Sequence, residues 1–243
     1  MNNKKAIERL RNDEDYYGEF GKTYLSNSDI SALLNNPLEF KKPSPPNPAF
    51  LIGGYFHTTI LEPHKLNKYK IIKSSTRNTK AYKEIAGEDI CLLEHEADNI
   101  ELMREKVLDN DLFRDLIQEG AVEYELPGIT KLEDMQWKGK ADIVNHSNQL
   151  VVDLKTTNNI NSFAASAYKY NYDSQAYIYS KMFGYELVFI VIDKKTLQTG
   201  LFDCSDRFLQ SGQNKVAKAV QAYNDFFVNG NGDFSQYYIS KTL

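Results

Sequence analysis

The chain has 243 residues, with 29 Lys+Arg against 33 Asp+Glu, a net charge of −4, 42% hydrophobic and 26% charged residues. That profile belongs to a folded globular protein and excludes a disordered tail or a collagen. The longest apolar run, Leu187 to Ile192, falls well short of the ~20 residues a bilayer span needs. Cys91 and Cys204 are too few for a disulfide framework or for a four-cysteine zinc or iron–sulfur site. Met1-Asn2-Asn3-Lys4-Lys5 leads into polar sequence, so no membrane association and a cytoplasmic location are expected. The slight negative charge neither advertises nor forbids nucleic-acid binding, which depends on where positive charge clusters.

In chain order, residues 1–23 mix charges with Tyr16, Tyr17 and Phe20 and read as a short helix or loosely attached arm. Ser26 or Asn27 caps a helix through Ile30, Leu33 and Leu34 that stops before Pro37. Lys41 to Pro48 holds four prolines and reads as a loop. Ala49 to Leu61 is an apolar helix in spite of Gly53 and Gly54, which weaken it and imply close backbone approach. From Ser74 to Gly120 the pattern is helical: a basic segment Arg77 to Lys83, then Glu94 to Ile117 as one helix. Val122 to Leu126, Met135 to Val144 and Leu150 to Thr156 read as strands, with Gly128 and Asn145 to Gln149 as turns. A helix from Ser162 breaks near Asn171 and restarts at Asp173, running to Met182. Leu187 to Ile192 is a strand, Gly200 to Phe202 its partner, and Asp206 to Phe227 a final helix before a polar tail at 231–243. Without repeats or linkers, residues 1–243 form one α/β domain.

The strands from Gly139 to Val144 and Leu150 to Lys155 concentrate the chemistry. A turn at Ser147-Asn148 pairs Asp142 with Asp153, Ala141 with Leu154 and Ile143 with Val152, so Asp142, Asp153 and Lys155 share one face. Opposed carboxylates repel unless a cation sits between them, and carboxylate oxygens are the ligands magnesium and manganese prefer. Lys155, on the same face, is placed to orient or deprotonate a water and to neutralise a pentavalent phosphate. A solvated surface hairpin is the competing reading of the spacing alone.

Gly139-x-x-Asp142 followed by Asp153-Leu154-Lys155 resembles the core of the PD-(D/E)XK nuclease superfamily. Gly53-x-x-x-His57 and Gln175-x-x-x-Tyr179 resemble two further motifs of its RecB-like branch. The segments from Phe50 to Pro63 and from Ser28 to Pro37 are similar to the C-terminal nuclease domain of exonuclease VIII (RecE) and related phage exonucleases. The likeness runs in order from about residue 24 to 185.

It implies a restriction-endonuclease-like α/β core, a central mixed sheet flanked by helices with a helical N-terminal part. It implies that His57, Asp142, Asp153 and the Leu154 carbonyl bind Mg²⁺ or Mn²⁺, two ions per site, and that Lys155 is the catalytic lysine. An acid on the preceding strand completes the set; Glu123 and Glu125 both qualify, with Glu123 favoured. Arg77 and Lys80 are expected to contact phosphate, and Gln175 and Tyr179 the substrate strand.

The proline of the superfamily name is replaced by Ala141, and helicase motifs are absent. The implied activity is a phage-type exonuclease that digests linear double-stranded DNA from the 5′ end and leaves 3′ overhangs for recombination. The implied assembly is a homo-oligomer, such as a ring, working with a single-strand annealing protein. The rival readings are a structure-selective endonuclease, a non-catalytic DNA-binding module on the same fold, and a structural protein with a chance motif set.

Overall fold

A computed structural model describes residues 3–43, 45–237 and 240–242. A five-stranded sheet, β3 (Val122–Leu132), β4 (Met135–Asn145), β5 (Leu150–Thr157), β6 (Glu186–Asp193) and β7 (Thr199–Asp203), lies in sequence order. All neighbours are antiparallel except β5 and β6. A parallel pair needs a long crossover, and α9 (Phe163–Lys169) and α10 (Tyr172–Phe183) supply it. The sheet is mixed and flanked by helices, as expected.

Each face carries its own core. On one, Trp137, Val151, Phe189 and Val191 pack with residues of α4 (Asn27–Asn35), α9, α10 and α11 (Asp206–Tyr223). On the other, Ile143, Val152, Leu154, Val188 and Ile190 pack with α5 (Pro48–Leu61), α7 (Glu94–Leu108) and α8 (Asp111–Gln118). The catalytic-type hairpin is therefore central and buried, not a solvated surface ribbon: Asp142 is 9% exposed and Asp153 1%.

Several boundaries depart from the sequence reading for identifiable reasons. Gly128 is inside β3, where a Cβ would lie 2.5 Å from Met182 Sδ. The turn falls instead at Glu133 and Asp134, both left-handed (φ 48° and 60°) as a two-residue hairpin turn requires, but without the glycine or asparagine that usually marks one. The expected helix at 94–117 is two, broken at Asp109–Asn110, where Asn110 caps α8. The chain break near Asn171 is real, with Asn171 left-handed at φ 60°. Two short strands, β1 (Ile71–Ile72) and β2 (Leu92–Leu93), bracket α6 (Lys80–Ala86) and were too brief to leave a periodic signal. The final helix ends at Tyr223 and continues as a wider turn over Asn224–Val228. Of the 231–243 tail, Phe234–Tyr237 form a 3₁₀ turn, while Tyr238, Ile239 and Leu243 lie outside the described residues.

The N-terminal segment is not a loose arm. Its helices α1 (Asn3–Leu10), α2 (Asp13–Tyr17) and α3 (Glu19–Lys22) bury Ala6, Leu10 and Tyr16 against Ile129. Leu25 then bridges to β4 on the edge that β5 leaves free, through Leu25 N–H to Gln136 O (2.9 Å) and Lys138 N–H to Leu25 O (2.8 Å).

The layer of α10 and α11 depends on close approach at Gly212, where a Cβ would lie 2.1 Å from the Asp173 carbonyl oxygen. Rigid backbone cannot give way there. Gly212→Ala is expected to destabilise the fold by roughly 1–3 kcal/mol as an overpacking substitution, read as a lower urea midpoint; an unchanged midpoint would refute the close-packing argument.

Candidate active site

Strand register assembles the acids. Continuing the β3–β4 pairing, Tyr124 to Ile143 and Leu126 to Ala141, sets Glu125 opposite Asp142. The β4–β5 ladder ends at Ile143 and Val152, so Asp142 and Asp153 stand one residue beyond its last pair. Glu125 and Asp142 are thus neighbours across β3 and β4, and Asp153 is on the next strand, where the β4–β5 ladder stops.

Both main-chain groups of Leu154 serve the site. Its N–H donates to Asp142 Oδ2 (2.8 Å), and its carbonyl accepts from His57 Nε2 (2.7 Å). His57 comes from α5, and its Nδ1 lies 3.4 Å from Asp142 Oδ1. Donor atoms of His57, Glu125 and Asp142 fall within 4.8 Å of one another. The same three residues line a cleft of about 540 Å³.

Behind that cluster, Asp153 is gripped from two sides. Lys155 Nζ forms an ion pair with its Oδ1, and Gln175 Nε2 donates to its Oδ2 at 2.6 Å. The Lys155 ammonium also lies 4.7 Å from the Tyr172 ring centroid, a cation–π distance.

The electrostatics follow from burial and crowding. Burial raises Glu125 to about 7, with the Asp142 charge adding to the effect. Burial likewise raises Asp153 to about 6, against the pull of Lys155. Asp142 is also buried, yet His57, Lys155 and the Leu154 N–H together hold it below the usual carboxylate range. For His57, burial is outweighed by Asp142 and the pKa rises to about 9. Lys155 is raised as well, because Asp153 and Asp142 overcome the cost of burying it. Two crowded acids resist ionisation here, which is the condition a divalent cation relieves, and oxygen donors with one imidazole suit magnesium or manganese.

Residues 25–231 match the family described as a PDDEXK-like domain of unknown function (DUF3799). The chain belongs to this family. Its fold is similar to that of a protein from Eubacterium rectale, solved by crystallography and assigned as an exonuclease. The TM-score is 0.66 at 17% identity, with 96% of this chain and 95% of that chain covered. A phage-related exonuclease from Haemophilus somnus 129PT aligns at a TM-score of 0.35 and 12% identity, over 72% of this chain and 94% of that chain. That agreement is too low to carry an argument. No curated protein sequence matches the chain.

Within this PDDEXK-like domain, the sequence-expected residues divide into two groups. His57, Asp142, Asp153, the Leu154 carbonyl and Lys155 converge. Glu123 does not: it sits opposite Val144, in contact with His146 (3.1 Å) and Arg11 (3.3 Å). Glu125 is the acid beside His57 and Asp142, and its left-handed backbone (φ 47°) is a local distortion that strand alternation does not foresee.

Arg77 and Lys80 both have acidic partners within the protein. Arg77 forms a two-pronged pair with Glu96 (2.7 and 2.5 Å) that ties the segment before α6 to α7. Lys80 is exposed and 3.7 Å from Glu84. Tyr179 is 7% exposed and lines the cleft, its hydroxyl donating to Lys140 O (3.0 Å) and accepting from Lys140 N–H (3.2 Å) at the edge of β4. Gln175 meets Asp153, not the cleft surface alone. Gly53 has open space where a Cβ would stand, and Gly54 has only the Tyr69 hydroxyl at 3.4 Å. No helix among the described residues is long and apolar enough to cross a membrane.

Manganese or magnesium at about 100 times its dissociation constant is expected to stabilise the native state by roughly 2.7 kcal/mol. For a chain of this size that is a rise in Tm of roughly 5–10 °C. Glu125→Gln should remove most of the rise and Glu123→Gln should retain it. The reverse pattern would restore Glu123 to the site.

Proposed function

We propose that the protein is a divalent-metal-dependent deoxyribonuclease, and that it acts as an exonuclease on linear double-stranded DNA from the 5′ end, leaving 3′ overhangs for recombination or DNA processing. The observation that carries this reading is the convergence of His57, Glu125 and Asp142 in one cleft with Asp153 and Lys155 directly behind. Family membership and the fold shared with a protein assigned as an exonuclease support the same reading.

Asp142, Glu125, His57 and the Leu154 carbonyl would hold the first cation, with Asp153 available to a second. Bound there, magnesium or manganese would supply charge to the scissile phosphoryl group and a more acidic water. The chain's own contribution is positional. Leu154 is held in place by both its main-chain groups, which fixes Asp142 and His57 relative to β5. Lys155 remains charged beside Asp153, so its work is to stabilise negative charge developing on phosphate rather than to take a proton. Gln175 keeps the Asp153 carboxylate turned toward Lys155. A ring-shaped homo-oligomer and cooperation with a single-strand annealing protein are further parts of the proposal, drawn from the likeness to exonuclease VIII.

The test uses linear duplexes labelled at the 5′ end on one substrate and the 3′ end on another, with magnesium, manganese or chelator, beside a covalently closed circle. Metal-dependent early release of 5′ mononucleotides, with the circle intact, is expected. Loss of 3′ label first reverses the polarity, and cutting of the circle converts the enzyme to an endonuclease. Lys155→Ala should lower the single-turnover rate by roughly 10²–10⁴-fold. No cleavage with any metal would leave a non-catalytic DNA-binding module as the better reading.

A further inference from the structure

We propose that the substrate strand enters the cleft with one backbone phosphate seated between Lys140 and Lys65, in the place that the Asp13 carboxylate now fills. This rests on the nuclease reading above and names a phosphate subsite that the motifs do not contain.

Asp13 is the first residue of α2, and its two oxygens face two different lysines. Oδ1 lies 2.6 Å from Lys140 Nζ, and Oδ2 lies 3.8 Å from Lys65 Nζ. A phosphodiester offers the same pattern, one negative charge shared by two non-bridging oxygens. The Lys140 side chain is only 10% exposed, whereas that of Asp13 is 49% exposed. A lysine so enclosed is costly to leave without a counter-charge; Glu125 is near enough to attract it and the Tyr16 ring lies 4.6 Å away, but neither fills the place that Asp13 holds, which another anion would take up. Lys65 keeps Glu62 at 2.6 Å and is less dependent on Asp13.

The location suits a nucleic-acid backbone. Lys140 precedes Asp142 by two residues on β4, so the subsite lies roughly 6–7 Å along the strand from the acid cluster, within a nucleotide's reach. Asp13, Tyr17 and Lys140 line the same cleft as His57, Glu125 and Asp142. Lys65, Lys68 and Lys70 line an adjoining cleft of about 660 Å³ that shares Asp13, Glu62 and Tyr69 with the first. Tyr17 stands 69% exposed at the mouth, packed edge-on against Tyr16 with Lys140 Nζ 5.6 Å from its ring centroid, which leaves part of the ring accessible to a base. Lysines thus continue away from the acid cluster, interleaved with Glu62, Glu88 and Asp89, and Asp13 is the carboxylate that stands between Lys140 and Lys65.

The experiment is a double-mutant cycle on binding of a fluorescent 20-mer oligodeoxynucleotide duplex with a frayed end, measured by anisotropy in chelator and over a salt series. Asp13→Asn is expected to tighten binding several-fold, and Lys140→Gln to weaken it roughly tenfold, as loss of a charge-assisted contact does. Lys140→Gln should also lower the salt slope by about one. In the double variant the gain from Asp13→Asn should shrink to the small part that Lys65 supplies, because Lys140, the closer partner, no longer remains to be released. If Lys140→Gln fails to give a cooperative melt, Lys65→Gln repeats the cycle from the more exposed side.

A gain that persists undiminished in the double variant would mean generic charge repulsion and would overturn the subsite while leaving the nuclease reading intact. No tightening on Asp13→Asn would do the same. Failure of the wild-type protein both to bind and to cleave DNA would sink the subsite and the nuclease reading together.

Discussion

Three carboxylates cannot share a dry pocket unless something holds them there, and in this chain the sheet's hydrogen-bond register does so. The β3–β4 register sets Glu125 beside Asp142, and the β4–β5 ladder, ending one residue short of Asp142 and Asp153, brings those two strands together where the Leu154 N–H bonds Asp142. Each strand is anchored away from the site, by the Ile143–Val152 and Val144–Val151 pairs on one side and by the Leu25 bridge to Trp137 on the other. The acids are thus pressed together by packing energy gathered elsewhere, in two cores that cover both faces of the sheet. Repulsion is met locally by His57, Lys155, Gln175 and the Leu154 N–H, each a donor to one carboxylate. A site so arranged has a fixed geometry and an unsatisfied appetite for positive charge.

The helices that reach the site are fastened by polar ties as much as by apolar packing. Gln175 rides on α10, and α10 is locked to α11 by Asp173, which is completely buried and bound to Lys215 (2.8 Å) and Ser211 (2.7 Å). Breaking one partner of such a buried pair leaves a charge without compensation, so these ties fix one arrangement even where their net contribution to stability is small. Ser174 adds a bond to Asn27 (2.6 Å) at the start of α4, so the N-terminal helices and the crossover share one support. The site therefore depends on contacts between segments about 147 residues apart in sequence.

This explains which parts of the molecule were legible in the amino-acid sequence. The β4–β5 register was readable because turn residues and alternating side chains both constrain it, and the structure keeps the Ile143–Val152 pair although its loop spans residues 146–149. The helix carrying His57 and the break at Asn171 were readable from apolar patterning and from an asparagine suited to left-handed backbone. Glu125 was not separable from Glu123, because two residues apart on a strand share a face and only the β3–β4 register tells which one meets Asp142. Arg77 and Tyr179 have partners within the protein that the sequence did not foretell, for a common reason. A basic or aromatic side chain is chemically suited to a nucleic acid and equally suited to a partner inside the protein, here Glu96 and the Lys140 main chain. Such pairings are long-range and leave no local trace. The docking of residues 3–22 was hidden likewise, since Ala6, Leu10 and Tyr16 are too few to mark a buried face until Ile129 completes it.

The chain's net charge of −4 would count against a polyanionic substrate if the total mattered. Local arrangement matters more, because a charged wall within a Debye length of about 8–10 Å acts before distant charges are felt. Acids gather at the bottom of the cleft, where a cation would reverse their sign toward an approaching phosphate. Lysines 65, 68, 70, 138 and 140 stand on or next to its walls. Burial lowers Lys138 only to about 8, so it is still mostly charged at neutral pH. Asp13, Glu62, Glu88 and Asp89 stand among those lysines, so the field that a nucleic acid would meet there is set by a cation on the acids and by which lysines are released from protein partners, rather than by an excess of lysine.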